Sequence, residues 1–317
     1  MKRPDQKFRI AIMGAGAIGS AVGGMLARAG HRVTLVGRDP HIGEIARNGL
    51  RITGIWGEHR VDDLVATTSP PSNVQDVVFL TVKSFDTETA AEAALPMIGG
   101  CTTVVSMQNG IGNVETLAEI AGRKRTVGGM AIFGAVMHEP GSVDVTVIAS
   151  ETLLGEIDGG ITPRTRGLAR ILDGAGIPAM PTENIMLEIW HKALYNIALN
   201  PLSALFEVTY GEIADNPQTT PLIREMVGEA FRVAKAANVD LGMDSQDTYL
   251  EILWDRLLPP TRNHRSSMLQ DIIRGKRTEI DYINGKIVEL GARYGIETPY
   301  NDAIVRMVKA KEVMRSV

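Results

Sequence analysis

The spacing of apolar positions changes once along the chain, near Pro181. Before that point, short apolar runs typical of buried strands alternate with segments of helical period. After it, the 3.6-residue period of amphipathic helices continues to the end, without a further alternating strand. The pattern therefore predicts an α/β domain over residues 1–181, followed by an all-α domain over residues 182–317.

The first predicted strand, Arg9 to Met13, runs directly into a glycine-rich turn. A helix of small residues is expected to follow, from Ser20 to Ala29. In a strand–turn–helix of this kind, the first glycine permits the tight turn, the second lets a pyrophosphate approach the backbone, and the third lets helix and strand pack closely. We expect the turn to bind a dinucleotide, with a purely structural glycine turn as the alternative. The turn consists of Gly14, Ala15, Gly16, Ala17, Ile18 and Gly19.

The next strand, Arg32 to Val36, ends near the residue that discriminates between NAD and NADP. The first charged side chain after it is Arg38, a guanidinium suited to a 2′-phosphate. The sequence therefore favours NADP(H) as the cofactor. Asp39 weakens this preference, and Arg38 as a solvated loop residue is the alternative.

Two further buried strands are predicted, Val77 to Val82 and Thr103 to Met107, and each is followed by a polar residue. These residues are Lys83 and Asn109. Because ligands bind at the carboxyl ends of strands in open parallel sheets, both are candidates for cofactor binding. A surface lysine and a plain Asn-Gly turn explain them equally well. Later alternating stretches, 126–137 and 142–156, are expected to extend the same sheet.

A largely apolar helix is predicted from Ile185 to Phe206, and it carries a polar stripe. Lys192, Asn196 and Asn200 stand four residues apart, so they lie on one face of the helix. One interpretation is a solvated surface; the other is a ligand-binding cleft, favoured by the apolar residues around the rest of the helix. Pro201 is expected to kink or restart this helix.

Two later residues, Ser267 and Glu279, have good structural explanations. Ser267 with Gln270 resembles a capping box, and Glu279 suits a helix N-terminus. Physical chemistry alone therefore assigns neither of them a function.

Composition narrows the class of protein. The 317 residues are 44% hydrophobic and 22% charged, with a formal net charge of −4, so the chain is expected to be globular, without a surplus of basic residues for nucleic acid or anionic membranes. The single cysteine, Cys101, allows neither an internal disulfide nor a zinc site, and the dispersed histidines indicate no metal. Glycines interrupt the only candidate for a signal peptide, so a cytoplasmic location is expected. The sequence leaves monomer and homodimer open.

The chain resembles the ketopantoate reductases (2-dehydropantoate 2-reductases) from Arg9 to near its C-terminus. The resemblance is carried by the glycine turn, Lys83, Gln108-Asn109-Gly110, Trp190-His191-Lys192 with Asn196 and Asn200-Pro201, Ser267 to Asp271, and Thr278 to Gly285. It implies a Rossmann domain joined to a helical domain like that of 6-phosphogluconate dehydrogenase, and NADPH-dependent reduction of 2-dehydropantoate to (R)-pantoate in the pathway to pantothenate.

The resemblance also implies roles for individual residues. Lys192 is similar to the family's catalytic lysine, and Arg38 and Lys83 to its cofactor-side positions. The positions that resemble substrate and catalytic-site residues are Asn109, Asn196, Asn200, Ser267 and Glu279. For Ser267 and Glu279, the resemblance thus favours a function over the structural explanations given above.

The residue types agree with this chemistry. Hydride transfer to a 2-oxo carbon leaves negative charge on the carbonyl oxygen, and a nearby ammonium can stabilise that charge and donate the proton. Lys192 is therefore the expected general acid, and Glu279 is expected to orient it or the substrate. Two alternatives remain at this stage: a reductase of another 2-oxo acid, and a dinucleotide-binding sensor without turnover.

Overall fold

The computed structural model describes residues 7–315, and its contacts divide the chain into two compact units. The first comprises Met1–Asn109 and Asn113–Met186, and the second comprises Gly110–Gly112 and Leu187–Val317. The ends of the two predicted domains, residues 1–6 and 316–317, lie outside the described residues. The predicted limits of 181 and 182 stay a prediction.

An eight-stranded sheet forms the centre of the first unit, and most of its strands are parallel. The strands, in chain order, are β1 (Arg9–Met13), β2 (Arg32–Val36), β5 (Val65–Thr67), β6 (Val77–Leu80), β7 (Thr103–Ser106), β8 (Thr126–Met130), β11 (Thr152–Glu156) and β12 (Ala179–Pro181). Their spatial order is β12-β11-β8-β7-β6-β1-β2-β5, and β11 runs antiparallel to β8.

The register of this sheet aligns the strands whose ends carry candidate residues. Met13 pairs with both Val36 and Leu80, and Leu80 pairs with Ser106. Four neighbouring strands, β2, β1, β6 and β7, therefore end at the same edge of the sheet, as expected for a Rossmann domain.

A second sheet of four strands contains residues that we expected in the first. It consists of β3 (Leu50–Gly54), β4 (His59–Val61), β9 (Phe133–Val136) and β10 (Ser142–Ile148), in the order β4-β3-β10-β9. The expectation that 126–137 and 142–156 only extend the main sheet is therefore wrong for β9 and β10.

The first helix, α1 (Ala17–Arg28), packs against both sheets. A Cβ at Gly23 would lie 2.3 Å from Leu35 of the main sheet, and a Cβ at Gly24 would lie 2.6 Å from Ile52 of the second sheet. Small residues thus let α1 pack between the two sheets. The remaining helices of this unit are α2 (His41–Asn48), α3 (Thr87–Ala94), α4 (Asn113–Ala121) and α5 (Pro163–Gly174).

The second unit is helical, as predicted, and has its own apolar core. Its helices are α6 (Ile185–Phe206), α7 (Tyr210–Ala214), α8 (Thr219–Ala236), α9 (Gln246–Ile252), α10 (Ser267–Ile273), α11 (Asn284–Tyr294) and α12 (Pro299–Arg315). A π-helical turn, Leu253–Leu257, follows α9, and a 3₁₀ turn, Ile280–Tyr282, precedes α11.

The bounds of α6 are those predicted from the sequence, which also led us to expect either a kink or a restart at Pro201. Helical structure continues through Pro201, so the expectation of a restart is wrong. Ile197, Leu199 and Leu202 are fully buried around this position, and their packing holds the helix together. Within residues 7–315, no helix combines the length and the apolar character that crossing a bilayer requires.

Candidate functional site

The glycine turn has the geometry that dinucleotide binding needs. Gly14 has a φ of +111°, and a Cβ there would lie 2.5 Å from the backbone nitrogen of Val82. A Cβ at Gly19 would lie 2.1 Å from the carbonyl oxygen of Gly14. Both glycines are therefore required by close packing of β1, β6 and α1.

Gly16 differs from these two glycines, because a Cβ there would meet nothing within 4 Å. It is the N-cap of α1 and has no capping side chain. The space beside Gly16, at the N-terminus of α1, suits a pyrophosphate. The residues present fit a dinucleotide at this turn.

Arg38 lies beyond the end of β2 with its side chain 83% exposed, and its guanidinium donates to Asp86 over 2.9 Å. The neighbouring acid, Asp39, accepts a hydrogen bond from the amide of Gly43 and so caps the first turn of α2. The carboxylate that weakened the preference for NADP is therefore engaged in a helix cap. Arg38 remains the charged group with donors to offer a 2′-phosphate.

Lys83 and Asn109 follow β6 and β7 at the same edge of the sheet. The carbonyl of Asn109 accepts hydrogen bonds from Ser84 Oγ at 2.9 Å and Asn113 Nδ2 at 2.6 Å. Gln108 donates to the carbonyl of Val82, which joins the two loops. These contacts fix the backbone at Asn109, whose side chain is half-buried.

Lys192 lies on α6, and its ammonium is close enough to the Glu279 carboxylate to interact with it. Burial lowers the pKa of Lys192 to about 8, and Glu279 opposes part of this shift. Glu279 is itself buried and directly precedes the 3₁₀ turn. A lysine with this pKa is largely protonated at neutral pH and still gives up its proton more readily than an ordinary lysine.

Asn196 is one turn further along α6, and its side chain is buried. Within residues 7–315, the structure gives its carboxamide no hydrogen-bond partner. The fully buried polar atoms without a partner do not include those of Asn196, so its carboxamide keeps some contact with solvent and is free to hydrogen bond to a ligand. Asn196 is therefore a candidate to bind a polar ligand beside Lys192.

Asn200 is the third member of the stripe, and its Oδ1 accepts a 2.7 Å hydrogen bond from the hydroxyl of Tyr210. Tyr210 is buried at the start of α7, where its ring packs edge-on against Tyr195. With Oδ1 engaged, Asn200 can offer a ligand the donors of its Nδ2 group.

The serine that caps α10 is Ser266, which corrects the predicted capping box at Ser267. Ser266 Oγ accepts from the amide of Leu269 and donates to the carbonyl of Asn200 over 3.2 Å. Ser267, the first residue of α10, is exposed. The contact between Ser266 and Asn200 brings Ser267 to the Asn200 end of α6.

Each unit thus assembles one set of predicted residues. The first gathers Gly14 to Gly19, Arg38, Lys83 and Asn109 at one sheet edge, and the second gathers Lys192, Asn196, Asn200, Ser267 and Glu279 around α6.

Sequence reasoning missed Tyr210, although Thr209 and Glu212 form a capping box that marks the start of α7. It also missed Ser266, because its neighbour has the same side chain. No metal-binding group of three or more His, Cys, Asp or Glu occurs in the part of the chain described.

A Rossmann sheet with an open glycine turn, followed by a helical unit with a half-buried lysine, defines the class of two-domain dinucleotide-binding proteins. Matches to protein-family models identify the family within this class. Residues 10–159 match the model described as ketopantoate reductase PanE/ApbA, and residues 184–312 match its C-terminal model. The chain belongs to the ketopantoate reductase family.

Individual proteins show the same similarity over nearly full length. The chain is 40% identical to a 2-dehydropantoate 2-reductase from Aquifex aeolicus, covering 96% of this chain and 97% of that protein. It matches a PanE/ApbA family ketopantoate reductase structure from Ralstonia eutropha JMP134 with a TM-score of 0.85 and 34% identity, over 97% and 99% of the chains. It also matches D-mandelate dehydrogenase with NADH and anilino(oxo)acetate, with a TM-score of 0.89 and 29% identity, over 97% and 99%.

Proposed function

We propose that this protein is an NADPH-dependent 2-dehydropantoate 2-reductase, which forms (R)-pantoate in pantothenate biosynthesis in the cytoplasm. The observation that carries the proposal is the half-buried Lys192, whose pKa is lowered by desolvation, beside Glu279 and the unpartnered carboxamide of Asn196. Membership of the ketopantoate reductase family, and relatives named for this reaction, support the choice of substrate.

The first unit binds the cofactor in this proposal. The amides at the start of α1 hold the pyrophosphate, Gly16 leaves it room, and Arg38 binds the 2′-phosphate. Lys83 and Asn109 complete the cofactor side at the ends of β6 and β7. When bound, NADPH supplies the hydride to the 2-oxo carbon.

The second unit binds the oxo acid and supplies the proton. Lys192 donates a proton to the carbonyl oxygen as the hydride reaches the carbon, so the C=O bond becomes CH–OH and the lysine is left neutral until solvent reprotonates it. Glu279 keeps the ammonium charged and oriented. Asn196 and Asn200 hold the substrate hydroxyl, Ser267 binds its carboxylate, and Asn109 also contacts the substrate.

A second candidate is reduction of another 2-oxo acid with the same site. The similarity to D-mandelate dehydrogenase favours this alternative, since that protein was solved with NADH and anilino(oxo)acetate. Under it, Lys192 keeps its role and the residues around Asn196 and Asn200 accept a different side chain.

Loss of the near-ultraviolet absorption of NADPH tests the proposal, with 2-dehydropantoate, 3-methyl-2-oxobutanoate and phenylglyoxylate compared at equal concentrations. We expect the highest kcat/KM with 2-dehydropantoate. A higher kcat/KM with either of the other acids would identify that acid as the preferred substrate and leave the proposed reaction unchanged. Tight NADPH binding without turnover of any acid would favour a dinucleotide sensor instead.

A further inference from the structure

Pro201 leaves a gap in the hydrogen bonding of α6, at the level of the polar stripe. In an α-helix, the carbonyl of Ile197 would accept from the amide of residue 201, four positions later, but proline has no amide hydrogen. Ile197 is fully buried, so bulk water has poor access to this carbonyl. Such a carbonyl requires a donor from elsewhere in the protein.

Asn284 provides that donor. Its Nδ2 lies 3.3 Å from the carbonyl oxygen of Ile197, and the side chain is fully buried at the start of α11. Its Oδ1 is also buried and accepts no hydrogen bond from any of residues 7–315. Burying an unpaired oxygen costs free energy, so the hydrogen bonds that the Nδ2 group donates must stabilise Asn284 at this position.

A buried carboxylate sets the orientation of this amide. Glu229 accepts a 2.6 Å hydrogen bond from Asn301 Nδ2, so Asn301 turns its Oδ1 towards Asn284 and accepts from Nδ2 over 2.9 Å. Both donors of Asn284 thus meet oxygens, and a flipped amide would place its own oxygen against them. The chain Glu229–Asn301–Asn284 therefore directs one N–H at Ile197.

The position of this bond matters because Ile197 lies between the residues of the stripe. Lys192 and Asn196 precede it, and Asn200 follows it. A proline inside a helix allows a bend at this point, and an external hydrogen bond to the freed carbonyl limits how far it opens. The direction of Asn200 relative to Lys192 then depends on Asn284.

We propose that Asn284 is a positioning residue that replaces the hydrogen bond removed by Pro201 and thereby aligns Asn200 with Lys192 and Asn196. This inference rests on the proposed function, because alignment of the stripe matters only if the stripe binds the oxo acid. It assigns Asn284 no contact with substrate or cofactor.

A double-mutant cycle between Asn284→Ala and Pro201→Ala tests the proposal. The Pro201→Ala substitution restores a backbone N–H to the carbonyl of Ile197, so this variant alone should stay within about threefold of the unmodified protein in kcat/KM. Asn284→Ala should lose about 10- to 100-fold with Pro201 present, mostly through a higher KM for 2-dehydropantoate, and at most about threefold when it is combined with Pro201→Ala. Asn284→Ala also removes the contact with Asn301, but this loss is common to both backgrounds and cancels.

Two further measurements separate positioning from general damage. The Kd of NADPH should change by less than about twofold, because the glycine turn belongs to the first unit. The cycle is repeated with Asn284→Ser, whose smaller change preserves folding if the alanine variant fails to fold. Equal losses in the two backgrounds would overturn the proposal and leave Asn284 with a role in the packing of α11 and α12.

The outcome is independent of the proposed function in one respect. If the unmodified protein fails to reduce 2-dehydropantoate but the cycle still shows coupling in the midpoint of denaturant unfolding, the proposed substrate is wrong and the bond between Asn284 and Ile197 stands. If the unmodified protein reduces 2-dehydropantoate but the cycle shows no coupling in either kcat/KM or unfolding, the positioning role of Asn284 is wrong and the proposed function stands.

Discussion

The hydroxyl of Tyr210 donates to Oδ1 of Asn200 over 2.7 Å, and both side chains are buried. Among the contacts in residues 7–315, this oxygen is the acceptor for the phenolic proton. A flipped Asn200 amide would leave that proton without an acceptor, so the bond fixes which end of Asn200 faces a ligand. The group that binds there must accept a hydrogen bond.

Tyr210→Phe should weaken substrate binding and leave cofactor binding intact. The amide of Asn200 then loses the partner that orients it, at a cost of about 1 kcal/mol, and we expect kcat/KM for 2-dehydropantoate to fall about five- to tenfold. Steady-state kinetics with NADPH in excess measures this change.

Tyr249→Phe is the matched control for that experiment. Tyr249 is equally buried, but its hydroxyl has no partner among the described residues, so removing it should leave kinetics unchanged and stability equal or higher. Equal effects of the two variants would show that the loss at Tyr210 comes from packing.

The rate of reduction should fall in alkaline solution. In the proposed mechanism Lys192 acts as the acid in its protonated form, and burial lowers its pKa to about 8. We therefore expect kcat/KM to be nearly constant below about pH 7, to be halved near pH 8, and to fall about tenfold per pH unit well above it. Lys192→Ala should lose about 10²- to 10⁴-fold in kcat.

Glu279→Gln tests the electrostatic part of this prediction. The Glu279 carboxylate raises the pKa of Lys192 against the effect of burial, so its neutral isostere should shift the alkaline fall in kcat/KM to lower pH. An unshifted profile, or Glu279→Ala with unchanged kinetics, would remove Glu279 from the site.

Arg38→Gln should reduce the preference for NADPH. Loss of the guanidinium would remove the charge-assisted bonds proposed to the 2′-phosphate, and we expect the KM for NADPH to rise about 10- to 100-fold while that for NADH stays the same. Arg47→Gln serves as the control, because Arg47 is an exposed arginine on the following helix, α2. Equal changes for NADPH and NADH would assign Arg38 a structural role.

Two alanine substitutions in the glycine turn should have opposite consequences. Gly16→Ala meets no neighbour and has a φ of −79°, so folding stability should change by less than about 1 kcal/mol while NADPH affinity falls at least about tenfold. Gly19→Ala places a methyl group 2.1 Å from the Gly14 carbonyl and should destabilise the first unit by about 1–3 kcal/mol or more.

Denaturant unfolding and NADPH titration together check this pair. Normal cofactor affinity in Gly16→Ala would contradict placement of the pyrophosphate at the start of α1. Normal stability in Gly19→Ala would contradict the close packing of α1 on the turn.

Local patterns predicted the elements that depend on local information. The glycine turn after β1 and the full length of α6 follow from apolar spacing and backbone requirements within a short stretch of sequence. The second sheet does not, since Ile52 pairs with Val143 across a long separation, and alternation identifies a strand without identifying its partner. The two-sided packing of α1 was visible only as an excess of small residues.

The candidate site shows the same division. The stripe on α6 was readable because helical geometry alone places Lys192, Asn196 and Asn200 together. Tyr210 and Asn284 reach this stripe through tertiary packing, and their bonds to Asn200 and Ile197 have no periodic signal in the sequence. Adjacent serines at 266 and 267 satisfy the same capping pattern, so only the backbone geometry of α10 separates them.

Under the proposed function, the carboxamide of Asn196 makes the oxo acid part of the thermodynamics of folding. A bound acid that hydrogen bonds to it stabilises the native protein against unfolding, because the unfolded chain has no such site. The population of native molecules therefore grows with the concentration of the acid. Substrate supply and the lifetime of the protein become linked through a single side chain.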